Sequence, residues 1–419
     1  MTPYKDLSKT ELKELYNKCN EEYLKYKGKG LALDMSRGKP SADQLDLSAE
    51  LLSVLDEEDY KAEDGTDCRN YGGVDGIPEM KRLFANIMDV RADEILVGGN
   101  ASLTLMYESI ALFTRSGNNK LKNKLKFLCP APGYDRHFSI TEYLQMEMIT
   151  ISMTPDGPDM DQVREHVKDP LVAGIWCVPV FSNPEGVVYS DQIIKEMAEL
   201  KPANKDFRIF WDNAYIVHAF EGDIPQTANL LRECEKNGAY DMPLMFTSFS
   251  KISFSSAGTV AMAASPANLD KMRRHLIVQT IGPDKINQLR HVRFFGSKEK
   301  VHAHMKEHAK ILAPKFHAVL DELDFKLKGK GVGSWHMPRG GYFISFEAMP
   351  GCAKRIVALC KDAGLIMTPA GATFPYGVDP NDSNIRIAPS FPPIDQLKQA
   401  MGLFCVAVEL AALEKLIDN

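Results

Sequence analysis

A chain of 419 residues, 44% apolar and 25% charged, can bury a sizeable core and has the length of two domains. Its formal net charge of −6 provides no basic field for nucleic acid or anionic lipid, which leaves a small molecule as the expected partner. Eight cysteines lack a Cys-x-x-Cys pair or zinc-like spacing, the first residues lack a secretory pattern, and the longest apolar stretch is only residues 171–181, so a cytoplasmic protein with no membrane partner is expected.

Residues 5–27 predict a charged amphipathic helix, with Leu12, Leu15, Cys19, Tyr23 and Tyr26 near a helical period and Gly28 as its stop. Strand-like apolar runs at 94–97, 126–128, 148–152, 174–178, 208–211, 245–247 and 259–264 then alternate with helical segments. That alternation predicts an α/β fold with a mainly parallel sheet. From about residue 285 the pattern changes to long basic helices through about 323. A β-rich block containing Gly340-Gly341-Tyr342-Phe343, a further helix and a strand at 384–388 complete a smaller α+β unit, with the glycine pair as a tight strand entry. The expected division is a large domain of residues 61–300 and a small domain of residues 1–60 and 301–419. No internal repeat is present.

In open α/β sheets ligands bind beyond the carboxyl ends of the strands, and the chemistry-bearing residues of this chain follow those ends. Asp212 alone reads as a turn or cap aspartate, Asn183 as part of an Asn-Pro turn and Tyr215 as packing. Their order with Lys251 is more specific. A lysine amine condenses with an aldehyde, a carboxylate keeps a pyridine nitrogen protonated, and Asn183 and Tyr215 can donate to a phenolate oxygen. These are the parts that hold pyridoxal phosphate. The turn Gly98-Gly99-Asn100-Ala101-Ser102 joins a strand to a helix, so the amides of Asn100, Ala101 and Ser102 and the helix dipole can meet a phosphate. Ser248 and Ser250 add hydroxyls beside Lys251.

Over nearly its whole length the chain resembles the class I, fold-type I pyridoxal-phosphate aminotransferases. More narrowly it resembles the bacterial aspartate aminotransferase subgroup marked by Ser36-Arg37-Gly38-Lys39-Pro40, Asn70-Tyr71-Gly72-Gly73, Cys129-Pro130-Ala131-Pro132-Gly133-Tyr134-Asp135-Arg136-His137 and Asn384-Ile385-Arg386-Ile387-Ala388-Pro389-Ser390. The resemblance implies a large domain with a mainly parallel seven-stranded sheet. It makes Lys251 both the covalent anchor of the cofactor and the acid/base at the substrate α-carbon. It pairs Asp212 with the pyridine nitrogen, stacks Tyr134 on the ring and sets His137 behind Asp212. Arg386 clamps the substrate α-carboxylate, and Gly38 lies beside the substrate in a loop able to close. Tyr71 reaches the neighbouring subunit's phosphate, which implies a homodimer with shared active sites.

Many relatives carry an arginine about eight residues after the lysine to meet the phosphate, whereas Ser255-Ser256-Ala257-Gly258-Thr259 stands here. The distal substrate carboxylate has four possible partners, Arg37, Lys39, Lys285 and Arg290. The expected reaction moves an amino group from L-aspartate or L-glutamate to a 2-oxo acid, oxaloacetate or 2-oxoglutarate, in a ping-pong cycle. Alternatives on the same fold are an aromatic or 2-aminoadipate transaminase, a β-eliminating lyase and a non-enzymatic pyridoxal-phosphate sensor. His304 and His308, four apart, read as a solvated helix face and not a metal site. Cys129, Cys177 and Cys352 read as core thiols.

Overall fold

Seven of the apolar runs, with one short edge strand, assemble into an eight-stranded sheet in the computed structural model, which describes residues 2–115 and 124–418. Its strands are β1 (Ile95–Val97), β2 (Lys126–Ala131), β3 (Glu147–Thr154), β4 (Gly157–Pro158), β5 (Val172–Cys177), β6 (Arg208–Asp212), β7 (Pro243–Ser248) and β8 (Val260–Ala263). They lie in the order β1-β8-β7-β6-β5-β2-β3-β4. Pairing is parallel from β7 through β6, β5 and β2 to β3, while β8 runs antiparallel to β7 and β1. Every residue of β5, β6 and β7 is buried, which is why these strands read as continuous apolar runs and not as alternations.

Helices cover both faces. Apolar groups on one face include Phe84, Ile175, Trp211 and Phe249; on the other they include Met106, Trp176, Phe210 and Phe246. The strand order reverses between β5 and β2, and the loops after β1, β2, β5, β6 and β7 leave the sheet at the same carboxyl edge.

A third core joins the two ends of the chain. Helix α1 (Lys9–Lys27) starts later than its sequence pattern because Ser8 and Glu11 form a reciprocal capping box. Its Leu12, Cys19 and Tyr23 share a cluster with the long helix at Lys298–Leu327 and the final helix at Ile394–Asp418. The last helix is buried almost all round from Leu397 to Leu413, matching its nearly unbroken apolar sequence. Against these helices lies an antiparallel sheet of β9 (Gly333–Trp335), β10 (Ile344–Ala348) and β11 (Asn384–Ile387), with Ser345 opposite Arg386.

The basic segment beyond residue 285 is two helices, Lys285–Phe295 and Lys298–Leu327, divided at Gly296, whose φ of 63° ends the first. His304 and His308 correct the sequence reading: they do not lie on a solvated face. His308 is fully buried, with Nδ1 3.0 Å from Gln44 Nε2 and Nε2 3.1 Å from His304 Nε2. Polar partners inside the fold compensate their burial, a pattern that helical spacing alone does not reveal. Among the described residues no group of three or more His, Cys, Asp or Glu is placed to hold a metal ion, and no helix is long and apolar enough to cross a membrane.

Candidate active site

Strand β6 delivers Asp212 to the carboxyl edge of the sheet, where the side chain is 3% exposed. Its Oδ2 lies 3.1 Å from His137 Nε2. A carboxylate only accepts, so Nε2 carries the hydrogen in this contact. His137 belongs to α2 (Asp135–Tyr143) and is held as a plate: it stacks on Trp176 of β5 at 4.3 Å and 8°, and meets Tyr134 edge-on at 5.0 Å. Trp176 Nε1 in turn donates to Thr141 Oγ1 at 2.9 Å. The second carboxylate oxygen, Asp212 Oδ1, is buried and has no protein partner.

Lys251 follows β7, and its Nζ lies 4.6 Å from the centroid of the Tyr215 ring. The Lys251 carbonyl accepts hydrogen bonds from the Tyr342 hydroxyl at 3.3 Å and His218 Nε2 at 3.4 Å. Burial, aided by the Lys251 charge, pushes His218 down to about 3, so its ring is neutral near pH 7. Gly341 makes the approach of Tyr342 possible: its φ is 82°, and a side chain at the adjacent Gly340 would strike the Phe181 ring. Burial pushes the Tyr134 phenol up to about 12 against the opposing pull of Lys251. Burial and the Asp212 charge push Tyr215 up as well. Both phenols therefore stay protonated and able to donate near pH 7.

Arg386 lies on β11 and is 8% exposed. Its Nη1 donates to Asp135 Oδ1 at 2.8 Å and to Asn183 Oδ1 at 3.3 Å, and its guanidinium lies 4.8 Å from the Phe343 ring centroid. Nε is buried without a partner, so the edge turned away from Asp135 still has a donor to give. Gly38 packs against the same Phe343 ring, and a Cβ there would fall 2.7 Å from Phe343 Cε1. Only a residue without a side chain lets the Ser36–Pro40 loop come so close.

At the other end of the site Gly98-Gly99-Asn100-Ala101 leads into the helix at Ser102–Arg115. Asn100 Nδ2 donates to the Ser256 carbonyl at 2.9 Å, and Ser250 Oγ donates to the Asn100 carbonyl at 3.1 Å. The turn is thereby sewn to the segment that carries Lys251. Ser248 is buried at the end of β7.

Tyr71 stands apart from this cluster and is 81% exposed. Lys285 is committed elsewhere than the substrate: its Nζ donates to the carbonyls of Asn70 and Gly72, both at 2.7 Å. Lys39 lies over the Phe391 ring at 3.8 Å, and Arg290 Nη2 donates to Asn287 Oδ1 at 2.8 Å. Asp135, Trp176, His218, Tyr342 and Phe343 join the site without having been chosen from sequence. Asp135 sits inside the long motif that holds Tyr134 and His137, which was the available signal; His218 and Trp176 offered none beyond an apolar neighbourhood.

Residues 7–419 match the family model described as aspartate amino-transferase. An aspartate aminotransferase from Corynebacterium glutamicum is 44% identical over 93% of this chain and 91% of its own length. The crystal structure of an aspartate transaminase from that organism superposes with a TM-score of 0.96 at 41% identity, covering 99% of both chains. An alpha-aminoadipate aminotransferase from Thermus thermophilus, crystallised with N-(5'-phosphopyridoxyl)-L-leucine, shares the fold at a TM-score of 0.73 and 19% identity, over 95% of both chains. The chain belongs to the aspartate amino-transferase family.

Proposed function

We propose that this aminotransferase moves an amino group between L-aspartate or L-glutamate and the 2-oxo acids oxaloacetate and 2-oxoglutarate, with pyridoxal phosphate as its cofactor. The observation that carries the reading is Asp212, a buried carboxylate with one oxygen on His137 and the other without a partner. A buried carboxylate left half-paired is costly unless a cation or proton donor completes it, and a pyridinium N–H does so. The Lys251 amine, the protonated phenols and the donor edge of Arg386 fit the remaining demands of the same group and of an amino-acid carboxylate.

Bound there, pyridoxal phosphate supplies an aldehyde carbon and a protonated ring that accepts the electron pair released at the substrate α-carbon. Asp212 would hold the ring-nitrogen proton, and His137, fixed by Trp176, holds Asp212. Asn183 and Tyr215 would donate to the phenolate oxygen, and Tyr134 would stack on the ring. Lys251 Nζ, on a backbone steadied by Tyr342 and His218, would take the proton from the substrate α-carbon and deliver it to the carbon that carries the cofactor's aldehyde, so that the amino group stays with the cofactor. Arg386 orients the substrate through its α-carboxylate, and the Gly38 loop excludes water. Asn100, Ala101, Ser102, Ser248 and Ser250 serve the phosphate.

The near-full-length likeness to aspartate transaminases supports aspartate over the 2-aminoadipate alternative, whose relative stands at 19% identity. A homodimer with shared sites is supported by Tyr71 and by the exposed apolar side chains of Ile277, Val278 and Ile281. Gly282, the next residue, packs tightly on Gly72 of the Tyr71 loop. The domain division at residues 61–300 is supported by the core that unites the chain ends, which draws only Val178, Val180, Phe181, Tyr215 and Phe220 of its buried residues from that range. Eight buried, unpaired cysteines fit a cytoplasmic location.

The test is a half-reaction titration, following the visible absorbance of the holoenzyme as amino acids are added. Aspartate and glutamate convert it, and Lys251→Ala abolishes both band and turnover. A strong preference for aromatic donors sinks the aspartate reading, and release of pyruvate and ammonia without an acceptor indicates a lyase.

A further inference from the structure

A phosphate dianion held by amides and hydroxyls alone lacks a countercharge, and Thr259 stands where many relatives carry their arginine, eight residues after Lys251. Beside it the structure has a cavity of about 260 Å³ walled by Gly98, Gly99 and Asn100 on one side and by Ser256, Thr259 and Arg290 on the other. That is several times the roughly 30 Å³ share of one water. Thr259, 2% exposed, and Arg290 both line the cavity, and each carries a buried donor without a protein partner, Thr259 Oγ1 and Arg290 Nε. Leaving a buried donor unmet is unfavourable, so an acceptor seated beside these two residues is favoured.

The guanidinium is also fixed relative to the cofactor-bearing segment. Arg290 Nη2 donates to Asn287 Oδ1 at 2.8 Å, while Asn287 Nδ2 donates to the carbonyls of Ala257 and Gly258 at 2.9 and 3.0 Å. Asp284, the one carboxylate on the cavity wall, is engaged as a helix cap and accepts from the Asn287 amide at 2.9 Å. The cavity thus joins the turn that opens the Ser102–Arg115 helix to a cation carried by the helix at Lys285–Phe295.

We propose that Arg290, with the Thr259 hydroxyl, supplies the cationic corner for the phosphate group of the cofactor, replacing from a different helix the arginine that is missing after Lys251. The inference rests on the pyridoxal-phosphate reading above. It also removes Arg290 from the possible partners of the distal substrate carboxylate.

The full-length protein, freed of cofactor, is titrated with pyridoxal phosphate, with pyridoxal and with inorganic phosphate. Arg290→Gln is expected to weaken pyridoxal phosphate by about 10- to 100-fold, the usual scale for losing a charged hydrogen bond, and to leave pyridoxal unchanged. Arg290→Lys recovers part of the loss, and the near-isosteric Thr259→Val loses about 3- to 10-fold on the same scale. Equal loss for pyridoxal and pyridoxal phosphate, or unchanged affinity for both in Arg290→Gln and Thr259→Val, overturns the proposal. Loss of inorganic phosphate binding with pyridoxal phosphate unaffected also overturns it, making the cavity a separate anion site. Failure of the wild-type protein to bind pyridoxal phosphate strikes the underlying reading instead.

Discussion

Arg386 Nη1 lies 2.8 Å from Asp135 Oδ1, an ion pair that ties the last strand of the small sheet to the first turn of the helix carrying His137. The proposed clamp for the substrate carboxylate and His137, which supports Asp212, are therefore anchored on the same helix. Nη1 is occupied by Asp135 and Asn183, while Nε, a donor that only a guanidinium possesses, is buried without a partner and can meet a ligand. Arg386→Lys keeps the charge and loses this edge. We expect kcat/KM for aspartate to fall by about 100-fold or more, on the scale of charge-assisted hydrogen bonds. Cofactor absorbance should be unchanged. Full activity in Arg386→Lys would show that a point charge suffices.

Asp212 makes a second test possible because its two oxygens have different surroundings. Asp212→Asn preserves shape and the contact side toward His137 but removes the charge that keeps a ring nitrogen protonated. A loss of about 10²- to 10³-fold in kcat is expected, the size seen when one preorganised electrostatic group is removed. His137→Phe retains a ring to stack on Trp176 and should cost less, since Asp212 keeps its charge. Steady-state kinetics of the two variants decide; an unaffected Asp212→Asn enzyme refutes the pairing.

The centre of the sheet was legible because β5, β6 and β7 are buried on both faces and so read as apolar runs, two of them ending at a polar residue, Asp212 and Ser248. Lys251, Asn183 and Arg386 were legible through their motifs. The inward turn of His304 and His308 was not, because their partners, Gln44 and the carbonyl of Ile252, come from remote segments. The same holds for Lys285, whose charge suggested a substrate contact and whose length serves two backbone carbonyls. Local pattern names an element, whereas the partner of a buried polar group is set by tertiary approach.

Glu185 gives a pH prediction. Burial, with the Glu347 charge adding to it, pushes its carboxyl from the usual 4.5 up to about 7, and its Oε2 has no partner. The folded state thus favours the protonated form. Its contribution is full below about 4.5 and is lost as pH rises through 7, an effect of about 3 kcal/mol across that window. Glu185→Gln cannot ionise. Its melting temperature should match the wild type at pH 4 and exceed it at pH 8; an equal difference at both values would be against the assignment.

Lys285 is nearly fully buried, and its ammonium grips the carbonyls on either side of Tyr71 while Gly72 and Gly73, at φ of 99° and 69°, bend the chain away. That grip presents an aromatic side chain to solvent, where the proposed homodimer would cover it. Lys285→Met keeps the packing of the stem and leaves two carbonyls without their charged donor. At about 1.5–3 kcal/mol for each such bond, the loop should loosen, the proposed dimer weaken and cofactor escape faster. Tyr71→Phe removes only the hydroxyl, so it should speed cofactor escape and leave the dimer intact. Sedimentation across a dilution series and the rate of cofactor loss separate the two variants. If Lys285→Met leaves both quantities at wild-type values while Tyr71→Phe changes cofactor release, Tyr71 acts without help from the buried lysine.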